Sequence, residues 1–164
     1  MILKKTIAEQ KKERNLLIIL FFIALFLSNL GVPVIADSAI MPNYFIALII
    51  TFILQKLGNL NLYKLVIIGL LVDILVGQLL GQYAFIFIGI YLANHIINKV
   101  ISIKSEKQVF TLSFFLTLIS FFILWVSSLS HSIFIPPKII LFQIILTFIT
   151  TLIFSIIIKR FILR

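Results

Sequence analysis

"GLLVDILVGQLLG", residues 69–81, sets a single carboxylate, Asp73, in an apolar run with Gly69, Gly77 and Gly81 at four-residue steps around it. Residues four apart share one helical face. Gly69, Asp73 and Gly77 therefore form one stripe, from which Gly81 drifts by about 40° per step. Small residues on such a stripe let a second backbone approach closely. An Asp at the centre of a membrane-spanning helix costs about 2.5–3.5 kcal/mol on insertion scales, so it faces a bundle interior or an aqueous cavity and takes a partner. The stretch predicts an acid pointing into a tight helix crossing.

The rest of the chain supplies the membrane. Of 164 residues, 62% are hydrophobic and 12% charged, with a mean hydropathy of +1.26; soluble domains run at about 45–50% apolar and 25% charged. This composition is that of an integral membrane protein, all-α and polytopic. Spans of about 20 apolar residues, shorter where neighbours support them, are predicted over 16–36, 42–56, 62–80, 83–98, 109–130 and 137–158, the second and fourth being short. The predicted organisation is a basic N-terminal segment (1–15), one compact bundle of six transmembrane helices (16–158) and a basic C-terminus (159–164). A cleaved leader ending at "VIA" before Asp37 is the competing reading of the first segment. It is disfavoured by the long apolar run, the extended basic stretch before it and a poor small-residue cleavage site.

The net charge of +9 is distributed between apolar runs rather than on a soluble basic face, so it sets topology and gives no nucleic-acid signature. With six spans and the N-terminus inside, thirteen of the fourteen Lys and Arg residues fall on the cytoplasmic side, Lys138 being the exception; that is the asymmetry cation retention produces. Both termini are expected in the cytoplasm. Cysteine is absent, which removes disulfides, thiolate catalysis and cysteine metal sites. His95 and His131 do not amount to a zinc site, which needs three or four convergent ligands. No paired carboxylate or nucleophile–base set reaches the core, so neither catalysis nor a cofactor is expected.

Asp73 lies nine residues beyond Lys64, about 13 Å deep. No basic residue shares that depth, and the reading favoured is a hydrogen-bond staple that fixes helix packing. Its candidate polar partners include Tyr91, Gln143 and Thr147, with Asn43, Tyr44, Asn94, His95, Thr150 and Thr151 as further donors. Phe114, Phe115, Phe121 and Phe122 are expected to face lipid or a partner.

"IIGLLVDILVGQLLGQYAF", 67–85, resembles the signature of the bacterial rod shape-determining MreD family, a glycine–aspartate–glycine–glycine pattern at four-residue steps, here Gly69, Asp73, Gly77 and Gly81, followed by Ala84 and Phe85. "MPNYFIALI", 41–49, is similar to that family's Pro-led start of helix 2, so Pro42 and Asn43 carry over. The resemblance implies a non-enzymatic inner-membrane subunit of the cell-elongation machinery that serves lateral peptidoglycan synthesis. It would work as a scaffold beside a single-span MreC-like protein and, through it, MreB, RodA and a class B penicillin-binding protein. It also implies a fold similar to the substrate-binding subunits of energy-coupling-factor transporters. Vitamin capture is accordingly the alternative function, though the outer loops offer few convergent polar groups for a pocket.

Overall fold

The computed structural model describes residues 7–29, 41–76, 80–100, 105–130 and 136–162. They form six helices: α1 (Ile7–Asn29), α2 (Tyr44–Leu54), α3 (Leu62–Val76), α4 (Gln82–Val100), α5 (Glu106–Ser130) and α6 (Pro137–Ile162). Among the described residues, three helices are long and apolar enough to cross a membrane: Gln82–Val100, Glu106–Leu129 and Pro137–Phe161. Gly77, Lys104, His131 and the predicted end of the first span lie outside the described residues.

The centre of the molecule is α2. Every residue from Phe45 to Ile53 is buried, and the helix touches α1, α4, α5 and α6. A helix apolar on all sides belongs inside a bundle. One flank of α2 (Phe45, Ile46, Ile49, Ile50, Ile53) packs with Leu65, Val72, Ile86, Phe87, Ile90, Leu112 and Leu116. The other (Ala47, Leu48, Phe52) packs with Leu20, Phe154 and Ile158.

The predicted second span, 42–56, is shorter in the structure, and both limits have a physical cause. Asn43 caps the start, its side-chain oxygen accepting the Ile46 N–H at 3.1 Å. At the other end, Leu57 N–H donates to Phe52 O at 3.0 Å and Lys56 N–H to Ile53 O at 3.2 Å, the paired bonds of a Schellman stop. Lys56 takes the left-handed position there at φ 53°, where glycine is usual, and Asn59 follows at φ 45°. A non-glycine residue in that region carries a penalty of about 1–2 kcal/mol. At 1.5 Å per residue, α2 is about 16 Å long, well short of the hydrocarbon core.

Polar contacts fix the helix directions. Asn43 N–H donates to Thr147 Oγ1 at 2.9 Å, Thr51 Oγ1 to Thr151 O at 3.3 Å, and Gln55 Nε2 to Ser155 Oγ at 2.9 Å. The numbers rise together, so α2 and α6 run parallel, joined along the Thr147, Thr151, Ser155 stripe at four-residue spacing. Lys159 Nζ meets Glu106 Oε1 at 2.8 Å, pairing the end of α6 with the start of α5 in antiparallel sense. Glu13 on α1 accepts the Gly58 N–H at 3.0 Å, and so the start of α1 meets the turn after α2. Those bonds gather Lys56 and Lys159 at the same end of the bundle as the start of α1.

The outward faces are apolar. Ile74, Phe85, Phe122 and Ile156 are each more than 60% exposed. The expectation for the α5 aromatics holds for three and needs correction for one: Phe114, Phe115 and Phe122 are exposed, whereas Phe121 is buried. Phe121 is adjacent to Ser120, and both lie on the inward face with Ser113 and Thr117.

Candidate functional site: a polar node between four helices

Asp73 is 1% exposed, on the face of α3 turned to α4. Its Oδ2 accepts the Gly81 N–H and its Oδ1 the Tyr83 N–H, both at 2.8 Å. Gly81 is the cap residue of α4, its carbonyl accepting the Phe85 N–H at 2.9 Å. A cap residue normally supplies a side-chain oxygen to the first free N–H groups. Gly81 has none, and at φ 95° it occupies a backbone conformation suited to glycine. The neighbouring helix supplies the oxygens instead, both of them from the one Asp73 side chain.

The hairpin closes tightly below this cap. A Cβ placed on Gly69 would overlap the Cα and backbone nitrogen of Ala84, so only glycine admits the observed approach. Among the described residues no helix pair is in more extensive contact than α3 and α4.

The node continues through Tyr83. Its ring is buried, packed edge-on against Phe45 at 6.1 Å and tilted against Phe87 at 5.8 Å. Its hydroxyl oxygen accepts from Asn43 Nδ2 at 2.7 Å. Asn43 thus uses its side-chain oxygen to cap α2, its amide NH2 to hold Tyr83 and its main-chain N–H to hold Thr147. One chain of hydrogen bonds joins α3, α4, α2 and α6. Thr147 lies well inside α6, about 15 Å from Pro137 at 1.5 Å per residue, so the starts of α2 and α4 both sit partway along the bundle.

The predicted partners of Asp73 distribute differently. Thr147 belongs to the node but bonds to Asn43. Tyr91 stacks on His95, rings 6.4 Å apart and nearly parallel. Gln143 is half-buried on α6 and makes no bond to Asp73. In an antiparallel hairpin Asp73 faces residue 83, and Tyr91 is about 12 Å further along α4. Two unsatisfied backbone donors stand closer to the acid than any of the three side chains. Pro42 is half-buried just ahead of the Asn43 cap. Sequence reasoning missed Tyr83; its usable signal was a tyrosine in the first turn of a helix whose cap residue carries no side chain.

Among the described residues no three His, Cys, Asp or Glu side chains converge as a metal site. Chemically the node satisfies buried helix ends and locks helix positions. A family model described as rod shape-determining protein MreD matches residues 10–162, nearly the whole chain. No curated protein and no solved structure matches.

Proposed function

The chain belongs to the MreD family of rod shape-determining membrane proteins, and from that premise we propose that it is a non-enzymatic scaffold of the bacterial cell-elongation machinery. In this reading it sits in the inner membrane as a six-span bundle with both termini in the cytoplasm. It holds an MreC-like single-span partner and acts through it on MreB, RodA and a class B penicillin-binding protein during lateral wall synthesis. Its six-helix arrangement would be of the kind used by energy-coupling-factor capture subunits, put to structural use.

The observation that carries this reading is the node itself. Asp73, Tyr83, Asn43 and Thr147 spend their hydrogen bonds on one another and on backbone. Polar groups committed in this way hold a fixed outer shape, which favours a scaffold over vitamin capture. The alternating helix directions and the collection of lysines at one end support the six-span orientation.

The test is Gly69→Val in the chromosomal copy. We expect rods to become round and co-purification with the MreC-like partner to be lost while the variant remains in the membrane. Rod-shaped cells and an intact complex from that variant would remove the scaffold reading. Saturable binding of a vitamin by the purified chain would replace it with capture.

A further inference from the structure

A second polar cluster lies at the lysine-bearing end, remote from the node. A cavity of about 320 Å³ opens between the turn after α2 and the last turns of α4. Its polar lining is Lys56, Asn59, Tyr91, Asn94, His95 and Asn98, over a floor that includes Phe52 and Leu57, and among the described residues no Asp or Glu lines it. Two features separate it from an ordinary solvated helix end.

Asn94 Oδ1 is buried and has no hydrogen-bond partner, and buried acceptors are nearly always satisfied. Lys56 and Asn59 both hold left-handed backbone, where glycine would be unstrained and is the usual helix stop. A cation near a helix C-terminus is favourable in its own right, but any of the next few positions would provide that without the left-handed conformation. Strain of this kind is retained where a side chain is needed in place.

We propose that this cavity binds the headgroup of one phospholipid. Lys56 and the imidazole of His95 take the phosphate, and a hydroxyl or ammonium of the same headgroup donates to Asn94 Oδ1. The shared chemistry is a phosphate that carries a neighbouring hydrogen-bond donor. A basic, acid-free lining attracts the phosphate, and the orphaned acceptor requires the donor. The placement in the inner leaflet rests on the orientation proposed above, whereas the binding itself does not.

Native mass spectrometry of the full chain distinguishes the cases, with phosphatidylglycerol, phosphatidylethanolamine and phosphatidylcholine of matched acyl chains. Phosphatidylcholine has no headgroup donor. One molecule of the first two lipids should be retained at least about tenfold more strongly than phosphatidylcholine; Asn94→Leu should abolish that difference, and Lys56→Gln should weaken retention of all three lipids, neither altering the folded fraction. Equal retention of all three lipids, a preference unchanged in Asn94→Leu, or retention unchanged in Lys56→Gln would overturn the proposal. Displacement of the lipid by millimolar glycerol 3-phosphate would reassign the cavity to a soluble phosphate ester and overturn the lipid assignment. A failed topology map with selective retention intact would indict the orientation alone.

Discussion

Asp73 and Tyr83 meet through backbone on one side and lead to a side-chain bond on the other: the carboxylate accepts the Tyr83 N–H, while the hydroxyl at the far end of the same residue accepts from Asn43. The acid of α3 thereby sets where α4 begins, and α4 in turn fixes the start of α2.

Replacement of Asp73 separates charge from hydrogen bonding. Asp73→Asn keeps one acceptor oxygen but loses the carboxylate, and should lower stability by about 1–3 kcal/mol. Asp73→Leu leaves two N–H groups buried without acceptors, with a loss of about 2–6 kcal/mol. Thermal unfolding in detergent, followed by Trp125 fluorescence, should rank wild type above Asn above Leu. Equal melting of all three would show that the α4 cap contributes nothing.

Two glycines of the stripe should respond in opposite proportion to their conformational oddity. Gly69 has ordinary helical backbone but abuts Ala84, whereas Gly81 has φ 95° and open space where a Cβ would go. Gly69→Ala forces the helices apart and should cost about 2–4 kcal/mol, within the range of overpacked contacts and lost neighbours. Gly81→Ala carries backbone strain alone, about 1–2 kcal/mol. Melting temperatures of the two single variants decide the order.

Tyr83 and Asn43 should be coupled. Tyr83→Phe leaves Asn43 Nδ2 without its acceptor and should cost about 1–2 kcal/mol. Asn43→Ala removes the α2 cap as well, and should cost more. In a double-mutant cycle the two losses should fall short of additive by about 0.5–2 kcal/mol. Strict additivity would mean that the 2.7 Å bond has no energetic content.

The absence of cysteine permits single-cysteine mapping of the proposed orientation. Cysteines at Lys104 and Ser132 should label from opposite sides of the membrane, and one at Lys12 should label with Lys104. Same-side labelling of 104 and 132 would exclude the six-span arrangement. By contrast, charge reversal at Lys159 or Glu106 should leave the melting temperature nearly unchanged, because the pair is exposed and solvent screens it.

The sequence announced the acid, its glycine-lined face and the apolar elements around it, because each is written in side-chain type and spacing. Gly69 against Ala84 is a contact that the four-residue stripe anticipates. The partners of Asp73 were not legible, since the donors are main-chain N–H groups, which every residue possesses and which become available only where a helix starts. The α2–α6 seam was half legible: Thr147 and Thr151 stood out as polar residues in an apolar run, but their register against Asn43, Thr51 and Gln55 depends on α2 ending early. That limit arises from Lys56 adopting a conformation its residue type does not favour, which propensity argues against.

The brevity of α2 bears on how the molecule is made. A helix of about 16 Å cannot bridge the hydrocarbon layer unaided, and its buried, largely apolar surface is packed against α1, α4, α5 and α6 in the finished bundle. The ribosome completes this segment second, yet its neighbours α4, α5 and α6 are synthesised afterwards. Its final seat exists only when the last helix has been inserted, so the innermost piece of the molecule is settled at the close of biogenesis.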